Sequence, residues 1–150
     1  MADLGYSCKR KVESLLASAD ARIIRPIKSV QYAPTKGRWF VACGDGRIDK
    51  MSPDEAIRFS SGVILAFRLN GKATDVIESW SAGIRWPGGW SLHFHLDPER
   101  FDWPNHPKVH YQFTCPESNT IVSTPPYANL RPPADVGAIE WIEWAISIMA

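Results

Sequence analysis

The sequence predicts a single α+β domain over residues 1–150: an antiparallel sheet of five to six strands with helices packed on one face. Three observations lead there. Between residues 76 and 114 apolar and polar side chains alternate with period two, as in strands that show one face to a core. Near both termini the apolar residues instead recur at helical spacing. The chain of 150 residues, 45% hydrophobic and 22% charged, also has the size and composition to bury one core.

The elements follow in order. Ser7 can cap a helix whose apolar stripe is Cys8, Val12, Leu15, Leu16 and Ala19. Residues 22–32 are β-branched and apolar but carry Pro26, which marks an edge strand or a bulge. Residues 38–43 form a short strand, and Gly44-Asp45-Gly46 turns the chain toward Arg47 rather than opening a phosphate loop. Ser52-Pro53-Asp54-Glu55 combines a capping serine, a proline at the first helical position and a capping-box glutamate. It predicts a short helix stopped by Gly62. Residues 63–69 are a nearly continuous apolar run suited to a central strand, with Asn70-Gly71 as its turn.

A meander comes next. Val76, Trp80, Ala82, Ile84 and Trp86 face inward, with Glu78 as the exception on that side. Pro87-Gly88-Gly89 turns the chain, and Trp90, Leu92, Phe94 and Leu96, then Val109, Tyr111 and Phe113, continue the apolar face. Residues 115–135 hold five prolines and read as a surface loop. A last helix begins near Pro133 or Asp135. Trp141, Ile142, Trp144, Ile146, Ile148 and Met149 surround it almost completely, which predicts a helix that is buried or docks on a partner.

Net charge is +1 but unevenly spread: residues 1–50 hold ten Lys/Arg against five Asp/Glu, and residues 51–150 seven against eleven. The basic third could steer an acidic partner or a phosphate backbone, or simply face solvent. No apolar run reaches membrane-spanning length, and the first residues lack the basic-then-apolar pattern of a secretion signal. Cys8, Cys43 and Cys115 are odd in number and widely spaced. Free thiols in a reducing cytoplasm are therefore expected, with no membrane partner.

All four histidines fall in one 18-residue window, at His93, His95, His106 and His110. Imidazole titrates near neutral pH and ligates metals, so this window is the place to look for chemistry. If the Pro-Gly-Gly turn pairs Trp86 with Trp90, Gly83 faces His93, Ser81 faces His95 and Arg85 faces Ser91 on the polar side. The next strand adds His110 and Gln112 to the same face. Three readings follow. The first is a solvated surface, with the histidines bonded to serines and Asp97. The second is a zinc site through His93, His95 and His110, with water in the fourth position. The third is metal-free phosphodiester chemistry. One imidazole takes a proton from a ribose 2′-hydroxyl, another donates to the leaving oxygen, and Arg85 or Lys108 holds the developing charge. His95 and His110 on adjacent strands suit that division of labour, with His93 beside them. Ser81, Lys108 and Gln112 would then bind substrate, and Trp103 could stack on a base or merely anchor its loop.

Short stretches resemble known families. Leu92-His93-Phe94-His95-Leu96-Asp97 is similar to the zinc strand of α-type carbonic anhydrases. His93-x-His95-x-x-x-Glu99 resembles the first cupin motif, although no second cupin motif follows. Phe94-His95-Leu96-Asp97 together with Asn105-His106-Pro107-Lys108-Val109-His110 resembles small bacterial toxin–antitoxin proteins of the TumE type. Asp97, His106 and His110 carry that likeness over about 20 residues of the chain. It implies a cytosolic protein of a toxin–antitoxin or antiviral-defence locus. The expectation is thus a histidine face that contacts RNA phosphates and cleaves them, as a histidine-dependent ribonuclease without a metal cofactor. The alternative is a non-catalytic subunit docking on a protein partner through its Trp-rich C-terminal helix.

Overall fold

A computed structural model describes residues 3–19, 30–44, 56–96, 109–114 and 136–148, the segment 109–114 by its backbone alone. Among the described residues, helix α1 (Tyr6–Ser18) is followed by seven strands: β1 (Gln31–Thr35), β2 (Arg38–Cys43), β3 (Ile57–Arg58), β4 (Ile64–Gly71), β5 (Ile77–Arg85), β6 (Ser91–Leu96) and β7 (Val109–Thr114). Helix α2 (Ala138–Ile148) comes last among the described elements. The strands form one antiparallel sheet in the order β1-β2-β4-β5-β6-β7, with β3 paired to β4. This is the α+β architecture the alternation predicts.

One sheet face is the core. Trp39, Val41, Leu65, Phe67, Leu69, Trp80, Ala82, Ile84, Leu92 and Phe94 share it and are buried. Trp141 of α2 is fully buried against it, its ring 6.0 Å from that of Trp80 and 6.1 Å from that of Phe94. Trp80 and Phe94 stack at 4.3 Å across the β5–β6 pair. At the other end of the face, Trp39 packs against Gly5, the residue before α1, and against Gly71. Its indole Nε1 donates to the carbonyl of Thr74 at 2.7 Å, while Tyr32 Oη donates to the carbonyl of Leu4 at 2.6 Å. These contacts tie α1 to β1, β2 and the β4–β5 turn.

Several local expectations give way to tertiary structure. The helix predicted from Ser52 to Gly62 does not form over its described part. Ile57 and Arg58 pair with Leu65 and Ile64, and Gly62, at φ +85°, sits in the β3–β4 turn instead of ending a helix. Ile57 is 1% exposed, and burying it beside Leu65 on the core face outweighs a weak local helical preference. The capping sequence itself, residues 52–55, lies outside the described residues.

Helix α1 starts one residue before Ser7, which therefore sits inside it. The N-terminal amide at Gly5 donates to Asp75 Oδ1 at 2.7 Å, so a carboxylate from the β4–β5 turn does the capping. Asn70 and Gly71 do not turn the chain but extend β4, with a bulge opposite them. Asn70 pairs with Ser79 and Gly71 with Ile77, which skips Glu78. Ile77 thereby takes the inward place expected of Val76, which is 65% exposed. Glu78 points outward and meets Lys72 at 3.7 Å, removing the anomaly in the alternation.

The strand expected over residues 22–32 is described only from Gln31, and it runs on to Thr35. It contains Pro34, tolerated because β1 is an edge strand of the described sheet. Helix α2 starts at Ala138, later than expected, and is not apolar all round. Ala138, Trp141, Ile142, Ala145 and Ile146 are buried, while Glu140, Glu143 and Ser147 form an exposed stripe. Trp144 is half-buried, its ring 5.5 Å from that of Trp141. No helix among the described residues is long and apolar enough to cross a membrane.

Candidate functional site

The β5–β6 hairpin sets the geometry of the polar face. Trp86 N–H donates to the Trp90 carbonyl at 2.8 Å, and Gly88 and Gly89 both take φ +93°, which glycine alone adopts freely. The register is the expected one: Arg85 opposite Ser91, Gly83 opposite His93, Ser81 opposite His95. Strand β7 places Gln112 opposite His93 and His110 opposite His95. His93, His95 and His110 therefore occupy positions on one face, opposite the face packed by Trp141. Trp103, His106, Lys108, Asp97, Glu99 and Cys115 lie outside the described residues.

This face is not uniformly solvated. Ser91 is 5% and His93 8% exposed, and Ala42, Ala66 and Gly83 are buried beside them. The His93 and His95 rings meet edge to face, 5.6 Å between centroids. His95 and Ser81 are half-buried, and Arg85 is exposed. Among the described residues no group of three His, Cys, Asp or Glu stands ready to hold a metal ion. The zinc set of His93, His95 and His110 reaches beyond them, because β7 is described by its backbone alone.

The register adds residues that the sequence reading missed. Arg38 on β2, Arg58 on β3 and Arg68 on β4 share the polar face with Arg85 on β5. One arginine per strand thus crosses the sheet toward the histidines of β6 and β7. Among the described strand positions of this face the one carboxylate is Glu78, at the β5 bulge, and it is paired with Lys72. Arg68, Ser81, His95 and His110 stand in one cross-strand row. Period-two alternation marks each arginine as outward-facing. Their assembly needs the β2–β4 pairing, which is remote in sequence, and the β3–β4 hairpin that a helix was expected to replace.

The two described thiols take no part in this face. Cys8 and Cys43 are free and buried, and burial pushes their pKa values up to about 11 and about 12. Both belong to the core cluster.

No protein-family model, curated protein or solved structure matches the chain. What the fold and the face define is a class: an α+β domain whose antiparallel sheet shows a core on one side and an arginine- and histidine-bearing surface on the other.

Proposed function

We propose that the polar sheet face contacts RNA phosphates and that its histidines cleave the phosphodiester backbone. The observation that carries this reading is the charge order of the face. Four arginines on four successive elements lead to three histidine positions, and the one carboxylate among the described strand positions of this face, Glu78, is paired with Lys72. Such a surface, in cationic excess, attracts a polyanion. Backbone contact by arginine positions a nucleic acid without reading its sequence.

In the reaction, neutral His95 or His110 takes the 2′-hydroxyl proton as the 2′-oxygen bonds to phosphorus. The other, protonated, gives its proton to the departing 5′-oxygen, leaving a cyclic phosphate and a new hydroxyl. Arg85, with Lys108, holds the charge that builds on the phosphoryl oxygens. His93 packs against His95 and orients it. Ser81 and Gln112 line the substrate, and Trp103 stacks on a base. The likeness to TumE-type proteins supports a cytoplasmic role in a toxin–antitoxin or defence system. The subunit alternative, docking through α2, draws less support, because α2 spends Trp141 on its own core.

His95→Ala and His110→Ala test the reading, with circular dichroism to check the fold. Each is expected to slow cleavage of a single-stranded RNA by roughly 100-fold or more. Two variants that cleave like wild type would remove the histidines from the chemistry.

A further inference from the structure

A cleft of about 260 Å³ opens on the polar face, two strands away from the histidines, lined among others by Arg38, Phe40, Arg68, Asn70, Lys72 and Glu78. Three cations face a single carboxylate there, and that carboxylate is engaged by Lys72 at 3.7 Å. Arg68 is held from two sides. Its guanidinium lies 4.3 Å from the centroid of the Phe40 ring, and its Nε donates to Asn70 Oδ1 at 3.1 Å. An arginine held over an aromatic ring has already given up much of its rotamer freedom, so less is lost when it binds a planar or bidentate ligand.

Arg68 also stands in the row of His95, two strands along. At about 4.8 Å per strand the two backbones are ~10 Å apart. That distance is short enough for one extended RNA strand to reach both.

We infer that this cleft is a binding subsite for single-stranded RNA, gripping phosphates upstream or downstream of the bond held at the histidines. This rests on the proposed function and extends it. Arg38 and Lys72 supply charge to the backbone, and the stacked Arg68 offers a guanidinium plane to a base. Single-stranded RNA is recognised in this manner, by splayed bases on flat side chains and by phosphates on cations. The flat sheet face and the open cleft suit an extended strand.

The test uses a fluorescent, uncleavable 2′-O-methyl oligouridine and measures its binding by anisotropy over a range of salt. The variant Arg38→Gln/Lys72→Gln alters two exposed side chains, so the fold is expected to persist. It should bind roughly tenfold more weakly, with the salt slope reduced by about 1.4. On cleavable RNA it should raise KM and leave kcat unchanged. Arg68→Lys keeps the charge but loses the planar guanidinium over Phe40, and should also weaken binding. Wild-type affinity in both variants, with wild-type protein binding the oligonucleotide, would overturn the cleft and leave the histidine face standing. Failure of the wild-type protein to bind would overturn both.

Discussion

Two buried thiols give the clearest residue-scale test of the packing. Desolvation favours the neutral form of Cys43 and Cys8, raising their pKa values from 9.0 to about 12 and about 11. The sign of the linkage follows. Above pH 9 the unfolded chain releases these protons while the folded chain keeps them, so unfolding gains driving force as pH rises. Stability is whole below pH 9 and declines between about 9 and 12. Urea midpoints measured at pH 7, 9 and 10.5 should be level, then fall. Cys43→Ala should flatten part of that fall relative to its own neutral-pH value. In the native protein at pH 8, alkylating reagents should spare both residues. Trp141 offers a second test. It fills the core, and its indole Nε1 has no hydrogen-bond partner among the described residues. Trp141→Ala should cost about 3–5 kcal/mol by chemical denaturation. Trp141→Phe should cost clearly less, since the N–H it removes has no partner among the described residues.

Among the elements, the anchor of α1 is Trp39, clamped between Gly5 and Gly71. A Cβ built on Gly71 falls 2.2 Å from Trp39 Cε2, and one on Gly5 falls 2.3 Å from Trp39 Cδ2. Gly71→Ala is therefore expected to destabilise by roughly 1–3 kcal/mol through overpacking. Gly5→Ala should be at least as costly, since Gly5 also has φ +79°. Gly71→Ala combined with Trp39→Phe should recover part of the loss, because the smaller ring yields space. Thermal melts of the four proteins check this. The β5–β6 hairpin was legible from sequence down to its register, because a two-glycine turn fixes which residues oppose each other and alternation fixes the face. Ser52 to Gly62 was not legible, since local capping residues pointed to a helix while the burial of Ile57 depends on β4. The bulge at Glu78 was visible only as a break in the pattern. One extra residue shifts Ile77 inward, and nothing local distinguishes that from a misplaced charge.

On the scale of the whole molecule, the histidine positions could be read from sequence and the arginine ladder could not. His93 and His95 are two apart on one strand, and His110 belongs to its neighbour, so short-range rules bring them together. Arg38, Arg58 and Arg68 reach the same face only through the sheet order β2-β4-β5 and the β3–β4 pairing. The sheet divides labour between its sides: tryptophans and aliphatic residues meet α2 on one, and cations gather on the other. The central claim is that this second side is a phosphate-contacting surface. Single-stranded RNA affinity measured against salt tests it most directly. With four arginines engaged, log K should fall with log salt at a slope of about −3, roughly −0.7 for each phosphate contact. Absence of saturable binding at low salt, or a slope near zero, would contradict it.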